Sequence, residues 1–115
     1  MQMPEKEYRE QIQRVHEAVL QSLESVDPDV AEAEASQGSL TITFADRTRC
    51  VLSAQPSVRQ LWVALAHRGM AHHFNWDAQH AQWRDDKKPE LEVIALLEGV
   101  LSEKTGAPFR IETHG

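Results

Sequence analysis

Acidic side chains crowd the first third of the chain, and they are the groups in this sequence best suited to binding chemistry. From residue 1 to residue 37 there are nine aspartates and glutamates against three basic residues, whereas the rest of the chain has nine of each. The whole net charge of −6 therefore arises in one segment. A localised negative field attracts cations or a basic protein surface and repels nucleic acid.

Carboxylate oxygens are ligands that hard cations such as ferrous and ferric iron accept, and several along one ridge can share a hydrated ion. The alternative is that a charge-rich helix flank is simply solvated, which is the commoner role of such residues. We keep that alternative for Glu5, Glu7 and Glu10.

The other reactive residue types form no recognisable catalytic motif. Cys50 is the only cysteine, with no evident basic neighbour to lower its pKa, so we expect a small buried hydrophobic residue. His67, His72, His73 and His80 match no zinc spacing and are interpreted as lone surface residues. His72 and His73 should point to opposite faces of a strand. We predict no catalytic residue, because no nucleophile and base pair and no phosphate loop is present.

The N-terminal acids are positioned by a predicted helix over residues 4–26. Its apolar residues recur at steps of three and four, which is typical of one buried helix face. They are Tyr8, Ile12, Val15, Val19, Leu23 and Val26. Pro28 ends the pattern, because the residue before a proline avoids the helical region.

Alternating residues then predict about five or six strands over residues 30–85. In the first strand Glu32 and Glu34 share one face and should meet water. Gln37 and Gly38 supply the turn to a second strand at 40–44. Further strands are expected near 49–53, 60–66, 71–76 and 82–84. Trp76 and Trp83 are interpreted as packing residues.

A second helix is predicted over residues 89–105, with Pro89 in its first turn and Gly106 as its C-terminal cap. With 115 residues, the chain can build one ordinary core, so we expect a single domain over 1–115. The fold class is α+β: a two-layer sandwich with both helices on one face of an antiparallel sheet.

This layout resembles the frataxin family, specifically its bacterial members. Three segments carry the resemblance: residues 38–44, which resemble the second strand; Gln60, Leu61 and Trp62, which resemble a Gln-apolar-Trp signature; and residues 73–75 with Trp83, which resemble the aromatic hairpin. The resemblance covers residues 8–105.

The family resemblance implies weak iron binding, as Fe²⁺ or Fe³⁺, on surface carboxylates. Carried over by position, these form what we call the acidic ridge: Glu17, Glu24, Asp27, Asp29, Glu32 and Glu34. Some positions often acidic in the family are here Gln13, Arg14, Gln21 and Ser25, so the ridge is thinner. The resemblance also implies contact with the cysteine desulfurase and the scaffold protein of iron-sulfur assembly, the latter through Gln60 and Trp62. A tryptophan in an apolar run is otherwise more often a core residue.

The resulting hypothesis is a cytoplasmic, iron-binding regulator of iron-sulfur cluster assembly. It is expected to be a monomer, with iron-dependent oligomers as an alternative, and to bind neither nucleic acid nor membranes. Two other classes remain open: a metal-independent protein-binding adaptor and a ferroxidase-type iron enzyme. The first ten residues lack a secretory signal pattern, and no apolar run is long enough for a membrane span.

Overall fold

The computed structural model describes residues 3–113 and contains two helices and six strands. In chain order these are α1 (Glu5–Leu23), β1 (Ala31–Ser36), β2 (Ser39–Phe44), β3 (Arg49–Gln55), β4 (Gln60–Leu65), β5 (Met70–Asp77), β6 (Gln82–Asp85) and α2 (Val93–Thr105). The strands form one antiparallel sheet in the order β1 to β6. Buried residues of both helices and of one sheet face make a single core, so the predicted class and arrangement are confirmed.

Helix α1 buries the face that its periodicity predicts. Tyr8, Ile12, Val15, Val19 and Leu23 are all buried. The helix ends at Leu23, three residues before the predicted limit, and Val26 packs on the core from the turn that follows. The chain turns there because Asp27 starts a hydrogen-bonded loop, with its carbonyl accepting from the amide of Val30 at 2.8 Å.

The sheet divides its side chains cleanly between a core face and an outer face. Leu40, Ile42 and Phe44 of β2 are buried, and the residues between them are half-buried on the other face. The β1–β2 connection is the predicted two-residue turn, with Gly38 at φ +70°. A glycine suits this position because side chains disfavour the left-handed region.

The phenol of Tyr8 ties α1 to the sheet. Its hydroxyl donates to the carbonyl of Gln60 at 2.7 Å and accepts from the amide of Gln55 at 2.8 Å. These two residues face each other where β3 and β4 are joined by a short 3-10 turn. The Tyr8 hydroxyl thus satisfies one main-chain acceptor and one main-chain donor where β3 connects to β4.

Helix α2 begins at Val93, so the prediction of a start at Pro89 is wrong. Glu92 lies at the N-cap, and its carboxylate accepts from the amides of Ile94 and Ala95. That capping satisfies amides which otherwise lack partners at a helix start. Pro89 lies in the loop before the helix, whereas Gly106 caps its C-terminus at φ +74°, as predicted.

A C-terminal tail beyond α2, which the sequence patterns did not predict, packs back on the helix. Ile111 is buried, and its amide donates to Glu98 at 2.9 Å. The amide of Phe109 donates to the hydroxyl of Ser102 at 2.9 Å. The tail therefore covers part of the core beside α2.

Candidate functional site

The acidic ridge runs from α1 through the following turn onto β1. All six of its side chains are exposed. Glu17 lies on α1, Glu24 directly follows the helix, and Asp27 and Asp29 lie in the turn. Glu32 and Glu34 lie on the outer face of β1, opposite Thr43 and Thr41 of β2. The exposure predicted for the two strand glutamates is confirmed.

No ridge carboxylate is held in an ion pair within residues 3–113, in contrast to several other acids of the chain. Asp46, Asp77 and Glu103 each lie within ion-pair distance of a basic side chain. The ridge acids instead make only neutral contacts: Glu17 accepts from the amide group of Gln13 at 2.9 Å, and Asp27 accepts from the backbone amide of Asp29 at 2.9 Å. Their charges are therefore not neutralised by a basic side chain of the described chain.

The ridge does not form a closed metal site. Over the described part of the chain, no three aspartate, glutamate, histidine or cysteine side chains are grouped to hold one metal ion. Glu17 also differs from the rest of the ridge. It lines a groove of about 440 Å³ together with Arg14, His80 and Glu112, and none of the other five ridge residues lines that groove.

Trp62 and Gln60 lie on the outer face of the sheet, which neither helix covers. Both are half-buried, while their neighbours Leu61 and Val63 point into the core. The indole Nε1 of Trp62 donates to Oε1 of Gln60 at 2.9 Å. Trp62 is therefore outside the core, despite the apolar run in which it occurs.

The same indole is stacked on His73 of the neighbouring strand. The ring centroids are 4.2 Å apart and the planes differ by 14°. Gln60 continues the network by donating to the side chain of Asn75 at 3.1 Å. Sequence reasoning missed His73 as a site residue. The sequence does contain the information needed to find it, because aligning the β4 and β5 patterns pairs His73 directly with Trp62.

The histidines are oriented as predicted, but two of them are not the lone surface residues that the sequence analysis expects. His72 lies on the core face of β5 and His73 on the outer face, as expected. His72 is not a lone surface residue: its side chain is 14% exposed and its Nδ1 lies 2.9 Å from Oδ2 of Asp85. His67 is similarly covered, with Nε2 3.4 Å from Glu103. Both were misjudged because their acidic partners lie on distant segments.

Asp85 is the buried carboxylate of the described core. Burial by itself raises its pKa, but hydrogen bonds from His72 and from the amides of Lys87 and Lys88 outweigh that effect and hold the pKa below its usual value. The carboxylate thus links β5, β6 and the loop that leads to α2.

The interpretations of Cys50, Trp76 and Trp83 are confirmed. Cys50 is buried, and that burial raises the pKa of its thiol to about 12. Such a thiol is a poor nucleophile, because the thiolate is the reactive form. Trp83 is buried and packs edge-on against Trp76, with ring centroids 5.3 Å apart.

Among the described residues, neither helix is long and apolar enough to cross a membrane.

Comparisons with known proteins agree with the fold. A family model described as a frataxin-like domain matches residues 1–107. A solved frataxin from Psychromonas ingrahamii superposes with a TM-score of 0.81 at 17% sequence identity, covering 94% of this chain and 97% of its own. At that identity the superposition supports the fold alone.

Curated relatives share more sequence. A protein from Pseudomonas fluorescens strain Pf0-1 is 29% identical over 97% of this chain and 98% of its own length. One from Stutzerimonas stutzeri is 33% identical over 97% and 98%. A second Pseudomonas fluorescens relative, from strain SBW25, is 36% identical over 76% and 79%. All three are named iron-sulfur cluster assembly protein CyaY.

Proposed function

This chain belongs to the frataxin-like family, and from that premise we propose that it regulates iron-sulfur cluster assembly by binding iron weakly on its acidic ridge. The relatives are named as assembly proteins and not as enzymes, so we infer a role without catalysis. We further propose that it works in the cytoplasm as a monomer, with oligomers forming only when iron is present.

The observation that carries the proposal is the state of the ridge carboxylates. They are exposed, and in residues 3–113 no basic side chain pairs with them. Unpaired carboxylates concentrated in one region raise the local concentration of cations. Their hard oxygen donors suit iron, which in this proposal is cargo and not a resident cofactor.

Binding at the ridge is weak and keeps much of the water around the ion. A tight site needs several ligands fixed at coordination distance, and the described residues contain no such group. Glu24, Asp27, Asp29, Glu32 and Glu34 then act together as a shallow hydrated platform. Glu17 contributes less, since it belongs to the groove beside α2.

Two surfaces divide the protein contacts in this proposal. The ridge offers its negative charge to a basic patch on the cysteine desulfurase, where complementary charge speeds association. Gln60 and Trp62 offer the scaffold protein a half-buried aromatic on the uncovered sheet face. Large aromatic residues contribute more than their share to binding energy at interfaces, so Trp62 is the anchor of the second contact.

A proton-nitrogen NMR titration with ferrous iron under anaerobic conditions tests the iron site. We expect the amides of residues 24–34 to broaden first, because the paramagnetic ion resides nearest to them. An unchanged spectrum at excess iron would refute iron binding.

Matched variants assign the effect to the ridge. Glu24→Gln, Asp27→Asn and Glu32→Gln together should abolish the broadening, and asparagine at 27 keeps the side-chain oxygen that accepts from Asp29. Neutralising Glu5, Glu7 and Glu10 removes the same number of charges from the other end of the helix and should leave it unchanged.

A metal-independent adaptor is the second candidate, because the outer sheet face with Trp62 provides a protein contact without iron. Binding to the desulfurase and scaffold complex separates the two functions. The ridge triple variant should weaken binding if the ridge takes part, whereas a sheet-only adaptor should retain its partner after that change and lose it with Trp62→Ala.

A further inference from the structure

We propose that His73 is a positioning residue that clamps the Trp62 indole flat on the outer sheet face, and that protonation of His73 tightens the clamp. The inference deepens the proposed function and depends on it only in taking Trp62 as the partner anchor. Its test below requires no partner, so it can fail while the proposed function stands.

The first observation is that Trp62 is held from two sides. His73 stacks on its ring at 4.2 Å and 14°, and Gln60 accepts its N–H at 2.9 Å. Gln60 is itself fixed by its bond to Asn75. A half-buried indole on an open face would otherwise sample other rotamers, and ordering it beforehand reduces the entropy lost on binding.

The second observation is that the residue stacked on Trp62 is a histidine. A phenylalanine or tyrosine would stack equally well, but an imidazole changes charge near neutral pH. A cation over an indole face gains electrostatic attraction to the ring in addition to stacking. The stack should therefore be stronger when the His73 ring is protonated than when it is neutral.

The groups that face His73 are one carboxylate, two uncharged side chains and an arginine that already has partners. From the β6 side, Asp86 lies with Oδ2 4.0 Å from Nδ1 of His73. From β4 the facing groups are Trp62 and Gln60, both uncharged. Arg84, on the same outer face, is engaged by Asp77, Gln82 and the carbonyl of Pro89. Asp86 therefore supplies the one carboxylate within ion-pair distance of His73 in the described structure.

The test follows the indole N–H resonance of Trp62 by NMR as pH changes. In the native protein this resonance should shift with the same midpoint as the ring protons of His73. His73→Phe keeps an aromatic stack but has no proton to gain or lose, so the pH-dependent shift of the Trp62 resonance should vanish. A Trp62 shift that persists in His73→Phe would overturn the proposal.

Hydrogen exchange of the same N–H at fixed pH tests the clamp itself. His73→Ala should raise the exchange rate about fivefold, the factor expected for losing one aromatic pair, and His73→Phe should restore it. The indole of Trp83, buried in the core, serves as internal control and should not change. Equal exchange of Trp62 in the native and His73→Ala proteins would refute the positioning role even if both proteins remain folded.

Discussion

Replacing Tyr8 with phenylalanine isolates the hydroxyl that joins α1 to the β3–β4 connection. The ring keeps its buried place, but the amide of Gln55 and the carbonyl of Gln60 lose their shared partner. Burial is also the main reason that the pKa of Tyr8 is raised, so the hydroxyl remains a donor throughout the range in which the protein is handled.

The expected loss can be worked from these two bonds. A buried donor left unpaired costs about 1–3 kcal/mol, and a net hydrogen bond contributes about 0.5–1.5 kcal/mol. Because Gln55 and Gln60 are only half-buried, water can partly replace the hydroxyl, and we expect Tyr8→Phe to lower the free energy of unfolding by roughly 2 kcal/mol. For a domain of this size that corresponds to a fall in Tm of roughly 10 °C.

Urea unfolding followed by circular dichroism measures the effect as a lower midpoint at unchanged m-value. Gln55→Ala is the matched control, since it removes the side chain but keeps the amide that contacts Tyr8. It should cost much less than Tyr8→Phe. A Tyr8→Phe loss below about 0.5 kcal/mol, the lower limit for one net hydrogen bond, would refute the reasoning.

Three further predictions concern single residues. Because the pKa of Asp85 is lowered in the folded protein, its stabilising effect is complete above the unfolded carboxyl pKa and is lost as pH falls below about 4. Asp85→Asn should therefore lower the free energy of unfolding at neutral pH. It should also flatten the acid dependence of the urea midpoint between pH 7 and pH 3. Gly38→Ala should destabilise the protein by roughly 1 kcal/mol, because Gly38 has a left-handed backbone conformation. Gly99→Ala, in an open position within α2, should stabilise it by about 0.5–1 kcal/mol. Thermal unfolding should show a lower Tm for the first variant and a higher Tm for the second. Cys50 should react with a thiol reagent only after unfolding, so labelling of the native protein at the rate of a free thiol would contradict its burial.

Local patterns predicted the elements well, because their signals lie within a few residues. The spacing of Tyr8, Ile12 and Val15 defines the buried face of α1, and alternation in β2 defines its core side. The exposure of Glu32 and Glu34 follows from the same alternation.

The misjudged features depend on contacts between segments that are distant in sequence. The start of α2 is fixed by the Glu92 cap, which overrides the preference of Pro89 for a first helical turn. The acidic partner of His72 is Asp85, 13 residues away. The tail around Ile111 has too few apolar residues to show a period, although Glu98 of α2 binds its amide.

The candidate site shows the same division between features that the sequence predicts and features that depend on contacts between distant segments. The six ridge residues were identified by the family resemblance, and the structure adds that they lack basic partners in residues 3–113 and that Glu17 borders a separate groove. Iron binding at the ridge and partner binding at Trp62 remain predictions. His73 was missed because its relation to Trp62 emerges only from the pairing of β4 with β5.

Reconstituted iron-sulfur cluster assembly tests the central claim most directly. The desulfurase, the scaffold, cysteine and iron are mixed with and without this protein, and cluster formation is followed by absorbance. We predict that the native protein changes the rate in an iron-dependent manner and that the variant with Glu24→Gln, Asp27→Asn and Glu32→Gln changes it much less. A rate that is the same with the native protein as without it, at every iron concentration, would contradict the account.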